Sequence, residues 1–185
     1  MDRQPFYDFF EHCVGEWVTE RTYHYLSHQE VERSRTEFAV APIPRELKEK
    51  VLTDNQYGEV EEIDAMPGFR LGFHTVSEAG EEVSQELRML FVPKLAGDDC
   101  LEGDYLRDRA YEEAKPIIAH FRFGFKNNEL LMTTRYTKVV SVDSITLVNP
   151  TLRIRRILNY QRPPVDHAPL TNVMLAGFGV EQKQS

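Results

Sequence analysis

The order of apolar and polar positions divides the chain into one short helix followed by many short strands. Between Pro5 and Val14 the apolar residues Phe6, Phe9, Phe10, Cys13 and Val14 recur at helical spacing. Pro5 suits a first helical turn. This stripe is predicted to plug a core, with Cys13 as a small buried hydrophobe. From Gly15 to about Leu26 the period changes to two. Trp17, Thr19, Arg21, Tyr23 and Tyr25 then share one face, and Val18, Glu20, Thr22, His24 and Leu26 share the other. A second strand is read over Gln29–Ala41 and is ended by Pro42 and Pro44. Glu46–Leu52 is predicted to form one or two helical turns.

Further strands are read at Gly58–Ile63, Phe69–Ser77, Glu82–Pro93, Ile117–Lys126, Glu129–Lys138, Val140–Asn149, Thr151–Tyr160 and Asn172–Glu181. Turn-forming runs such as Met66-Pro67-Gly68, Lys126-Asn127-Asn128 and Asn149-Pro150 separate them. About ten short strands at this spacing predict an all-β chain, a single antiparallel barrel or sandwich over residues 1–185 with an N-terminal helix. Lys94–Pro116 breaks the rhythm. It is acidic and rich in Gly and Asp, and it reads as a long rim loop carrying the charge-dense stretch Arg107–Glu113. The tail from Gln182 is expected to fray.

Composition narrows the function classes. The 185 residues carry a net charge of −8 without any basic block, which argues against nucleic-acid binding. No apolar run approaches the roughly 18 residues of a membrane helix. The first residues lack a secretory pattern, so a cytoplasmic, reducing setting is expected. The six histidines are scattered and the two cysteines, Cys13 and Cys100, have no metal-ligand spacing, so no metal site is predicted. There is no Gly-x-Ser-x-Gly elbow and no glycine-rich phosphate loop.

The strand after Asn149-Pro150 is the exception to an ordinary pattern. Arg153, Arg155 and Ile157 fall on one face, and Leu152, Ile154, Arg156 and Leu158 on the other. Arginines on an inward face need an anion, because an unpaired buried cation is costly. That anion is either an internal carboxylate or a ligand carboxylate, which a guanidinium grips with two parallel hydrogen bonds. An outward face would leave them as solvated surface charges. A ligand with carboxylates and a long conjugated body would use Arg21 and Arg153. Asp143, on the neighbouring strand with Ile145 and Leu147, would be the counter-charge for its N–H groups.

The opening Gly15-Glu16-Trp17 after a short helix resembles that of the lipocalin-like barrels, where the tryptophan closes the bottom. Taken in order, FFEHCVGEWVTERTYH at 9–24, YLRDRAYEE at 105–113, LLMTTRYT at 130–137 and DSITLVNPTLRIR at 143–155 resemble the S-type phycobiliprotein chromophore lyases. The resemblance runs nearly end to end. It implies an up-and-down barrel of the lipocalin and fatty-acid-binding-protein kind. It also implies an enzyme that takes a free open-chain tetrapyrrole, phycocyanobilin, and joins it through a thioether to a cysteine of a phycobiliprotein subunit. The acceptor would be phycocyanin or allophycocyanin. No permanent cofactor is implied; a paralogous partner lyase or a homodimer is possible within such a family.

By position, the resemblance implies that Arg21 and Arg153 bind the bilin propionates, with Arg155 on the same face, and that Asp143 and Arg153 act in catalysis. Asp143 stands where the family usually has Glu, and Phe73 where it usually has Trp. Glu181 matches a second carboxylate, and Trp17 and His24 are further candidates. The nucleophile would come from the acceptor, so neither Cys13 nor Cys100 is required. The chief alternative is a carrier of a bilin or fatty acid with the same barrel and no catalysis. A pure interaction scaffold would instead have a filled core.

Overall fold

The aromatic stripe of the first ten residues and the strand alternation behind it build a plugged barrel. The computed structural model describes residues 3–109, 115–165 and 167–184. In order they form helix α1 (Gln4–Cys13), β1 (Gly15–Tyr25), β2 (Glu30–Pro42), helix α2 (Arg45–Asp54), a 3-10 turn (Ile63–Ala65), β3 (Gly68–Ser77), β4 (Glu82–Ala96) and β5 (Cys100–Arg107). Then come β6 (Ile117–Gly124), β7 (Glu129–Arg135), β8 (Val139–Asn149), β9 (Leu152–Gln161) and β10 (Val173–Lys183). Each strand pairs antiparallel with its sequence neighbours, and β1 pairs with β10, so the ring is closed. Closure removes every free sheet edge. Among the described residues no helix is long and apolar enough to cross a membrane.

Helix α1 closes one end. Phe6, Phe9, Phe10 and Cys13 are buried there against Phe69, Phe91, Phe121 and Phe123. Phe6 stacks on Phe121 at 5.5 Å between centroids, and Phe10 meets Phe91 at 4.5 Å. Such ring pairs add about 0.5–1.5 kcal/mol each beyond the area they bury. Trp17 donates from Nε1 to the Cys13 carbonyl at 2.9 Å, which ties the end of the helix to the start of β1. At the opposite end β1 and β2 meet in a turn, and this end forms the mouth. Helix α2 lies outside the barrel. Its Val51 and Leu52 bury the outward Leu90, Val92 and Leu106 of β4 and β5.

Three readings of the sequence are corrected. The expected strand at Gly58–Ile63 is absent; Glu62 has a left-handed φ of 53°, which breaks extended backbone, and a 3-10 turn follows. Part of the expected rim loop is instead a strand, β5, and β4 runs on to Ala96. The acidic residues Glu102 and Asp104 occupy its outer side, while Leu101, Gly103 and Tyr105 turn inward. Gly103 is demanded by close approach: a Cβ there would stand 2.2 Å from the Val92 carbonyl oxygen and 2.8 Å from the Phe121 ring. Residues 110–114, including the rest of the charge-dense stretch, lie outside the described residues. Finally, Gln182 and Lys183 are not frayed. The amide of Lys183 donates to Thr151 O and that of Gln184 to Glu16 O.

Candidate functional site

Above the plug the barrel is hollow. The cavity measures about 410 Å³, within the range of small-molecule sites. Its two sides differ. Strands β3 to β7 supply Phe69, Leu71, Phe73, Met89, Phe91 and Leu130, with the α1 residues Phe9 and Phe10 beneath. Strands β8, β9 and β1 supply Asp143, Arg153, Arg155, Asn159 and Arg21.

Register explains how the charges come together. Gly179 of β10 is the partner of Arg21 on β1 and of Arg155 on β9. A Cβ on Gly179 would meet Thr19 Oγ1 at 2.9 Å and Arg21 Cγ at 3.2 Å. The absent side chain therefore lets Arg21 lie flat across β10. One rung nearer the plug, Glu181 is the partner of Thr19 and Arg153. One rung nearer the mouth, Asp143 pairs with Ile157.

Three ion pairs follow, two sharing Glu181 at depth and one nearer the mouth. Arg153 Nε donates to Glu181 Oε2 at 2.5 Å, with the two side chains 6% and 0% exposed. The guanidinium lies over Trp17 at 4.5 Å and Phe38 at 5.1 Å. Burial works against the Arg153 charge, but Glu181 and Cys13 outweigh it and hold its pKa above the ordinary value. Burial pushes the Cys13 thiol up, with Arg153 pulling the other way. Arg21 Nη2 reaches Glu181 Oε1 at 3.7 Å, while its buried Nε has no hydrogen-bond partner among the described residues. Nearer the mouth, Arg155 grips Asp143 with both Nε and Nη2; Nε lies 3.0 Å from Oδ1 and 3.1 Å from Oδ2. This pair is partly exposed to the cavity, at 18% and 15%.

Of the residues singled out from sequence, Arg21, Phe73, Asp143, Arg153 and Arg155 line the cavity. Trp17 and Glu181 lie behind Arg153 and shape it without lining the space. His24 does not join them. Strand alternation puts it on the outer wall, where it is exposed, because inward positions of β1 are odd-numbered. The internal anion left open for Arg153 is Glu181. Sequence reasoning missed Arg107, which sits at the mouth end of β5, half-way round the ring from β10. Its Nη2 donates to Tyr136 Oη at 2.7 Å, between the rings of Tyr105 and Tyr136. The inward parity of Leu101, Gly103 and Tyr105 was the available signal. Sequence reasoning also missed Tyr25 and Glu32 at the mouth, where the tyrosine hydroxyl donates to Glu32 Oε2 at 3.2 Å. Burial first, and Glu32 second, raise the Tyr25 pKa.

The closed ten-strand barrel agrees with comparisons to known proteins. The family model described as CpeS-like protein matches residues 6–184. A chromophore lyase CpcS/CpeS 1 from Synechococcus sp. (strain JA-3-3Ab) is 60% identical over 180 residues, 97% of each chain. A phycocyanobilin lyase subunit CpcS from Picosynechococcus sp. is 22% identical over 154 residues, 80% of this chain and 74% of that one. The solved S-type phycobiliprotein lyase CPES from Guillardia theta superposes with a TM-score of 0.73, covering 97% of this chain and 93% of that chain; at 16% identity it speaks to the fold. With the family model spanning almost the whole chain and a relative matched end to end, the chain belongs to the CpeS-like family of chromophore lyases.

Proposed function

We propose that the chain binds a free open-chain tetrapyrrole, phycocyanobilin, in its barrel and attaches it through a thioether to a cysteine of a phycobiliprotein subunit. The observation that carries this reading is the Asp143–Arg155 pair, partly exposed on one side of the cavity opposite an aromatic wall. A bilin brings propionates and pyrrole N–H groups together on one conjugated body. On entry, Arg155 and Arg21 turn to the propionates and Asp143 accepts from the N–H groups, so one internal pair is exchanged for several charge-assisted bonds. A fatty acid offers only the carboxylate. It would leave Asp143 a half-buried charge without its partner, which is costly. The chemistry of the pair thus favours a bilin over a simple lipid.

The transfer balances without a cofactor. The acceptor sulfur bonds to the exocyclic ethylidene carbon, the carbon–carbon π bond breaks, and the proton lost by the thiol ends on the adjacent ring carbon. Nothing leaves and nothing is oxidised. Asp143, beside protonated pyrrole nitrogens, stabilises positive charge on the conjugated system and makes the ethylidene carbon more electrophilic. The enclosing walls hold the flexible chain extended and keep water and stray thiols from other carbons. A free acceptor thiol suits a reducing cytoplasm. Phycocyanobilin is favoured by the name of the Picosynechococcus relative, and phycocyanin and allophycocyanin subunits are the acceptors to try.

The test mixes the protein, phycocyanobilin and an apo-phycobiliprotein subunit. Covalent, zinc-fluorescent acceptor with a single absorbance maximum, forming faster than without the protein, is expected. Arg155→Met should weaken bilin binding about tenfold, roughly one charge-assisted bond. Binding without faster transfer would identify a carrier, and no binding would remove the tetrapyrrole.

A further inference from the structure

Asn159 has no part in the chemistry described so far. It lies on β9 in register with Ser141 of β8 and Leu175 of β10, one rung nearer the mouth than the Asp143–Ile157 rung. Its side chain lines the cavity, and its Oδ1 is buried with no hydrogen-bond partner among the described residues. Buried carboxamide oxygens in folded proteins nearly always have a donor. One left without a donor on a cavity wall marks the place where a ligand N–H belongs.

The side chain carries an acceptor and a donor side by side. The group that satisfies both at once is a cyclic amide, whose N–H and C=O point the same way. An open-chain tetrapyrrole ends in such a lactam at each extremity. We infer that Asn159 is the subsite for the terminal lactam ring of the ligand. Oδ1 accepts from the lactam N–H, and Nδ2 donates to the lactam carbonyl. The inference rests on the tetrapyrrole reading above and extends it to a direction of binding. Two residues of strand separate the rungs of Asn159 and Asp143, about 7 Å. The end ring therefore sits at the mouth while the next pyrrole nitrogens lie at Asp143. The ring held by Asn159 is the one bearing the ethylidene group, because the acceptor thiol reaches the ligand from that end. Asn159 fixes the depth of the ring and leaves bond formation to other groups.

The test compares wild-type protein with Asn159→Leu, a substitution close in size. Phycocyanobilin affinity is measured by visible-absorbance titration, and thermal unfolding is measured without ligand. The expected result is a dissociation constant raised about tenfold, with the unfolding temperature unchanged or higher, since the variant no longer buries an unsatisfied carboxamide. A structural asparagine would show the opposite signature, with a lowered unfolding temperature and unchanged affinity, and that result would overturn the inference. Equal affinity in a stable variant would also overturn it while leaving the proposed function in place. Failure of the wild-type protein to bind phycocyanobilin would overturn both.

Discussion

The two ends of the barrel are built from the same alternating strands, yet one is solid and the other hollow. At the closed end Phe6, Phe9, Phe10, Phe91, Phe121 and Phe123 fill the space between the walls, with Phe6 and Phe121 fully buried. Toward the mouth one wall carries Arg21, Asp143, Arg155 and Asn159 at inward positions, and a cavity remains. Aromatic rings close-pack and leave no voids. Charged groups held in pairs against one wall cannot spread to fill the middle without losing their partners. The difference teaches that the hollow is kept open by electrostatics on one side and by a packed plug beneath.

The comparison is broken most severely at the plug. Phe6→Ala removes a ring that touches Tyr7, Phe10, Phe121 and Phe123. It should cost about 4 kcal/mol in urea unfolding and lower the melting temperature by roughly 10 °C. A loss under about 1 kcal/mol would mean the helix is not the barrel's floor. The next effect is on the charged wall. Glu181→Ala removes the carboxylate partner of buried Arg153, leaving it Cys13 and the faces of Trp17 and Phe38, and should cost about 3 kcal/mol. Unchanged stability would show that the deep pair contributes nothing to the fold. The smallest effect is a pH dependence where plug and wall meet. The folded-state pKa of the Cys13 thiol lies above its unfolded value because of burial. The folded state then holds the thiol proton more tightly, so this contribution is full below about pH 8.5 and declines as pH rises toward the folded value. Cys13→Ala should be slightly less stable at neutral pH, with the gap to wild type narrowing at alkaline pH. A gap independent of pH would rule out that coupling.

Much of this was legible in the residue pattern, for reasons that differ by region. Parity put Arg153 with Arg155 on one face of β9 and Arg21 with Trp17 on one face of β1, since strand alternation is a local property, but it left open which face turns inward. The helical stripe of α1 was equally local. Pairing was not legible. Nothing in the sequence says that Arg153 meets Glu181 while Arg155 meets Asp143, because that depends on the register of β8, β9 and β10 and on depth within the barrel. Strand β5 was hidden because Gly103 and Asp104 carry turn chemistry, although the glycine is there for a carbonyl and a ring. In the false strand Gly58–Ile63 the alternation holds only to Glu61; Glu62, where the backbone turns left-handed, falls on the face of Val60 and breaks it. Asn159 looked like an ordinary polar strand residue, and its unmet oxygen exists only once the cavity does.

The seam between β1 and β10 also governs assembly. The ring is shut by the register from Trp17 with Lys183 to Tyr25 with Leu175, and Lys183 Nζ donates to the His12 carbonyl at 2.9 Å. These contacts join positions 150 or more residues apart, and loop closure over such spans is slow. During synthesis β1 waits for its second neighbour until β10 has left the ribosome. Until then Arg153 has no Glu181 beside it and the interior is an open, aromatic-rich sheet. The enclosed cavity and its deep ion pair therefore exist only once β10 has joined β1 and shut the ring.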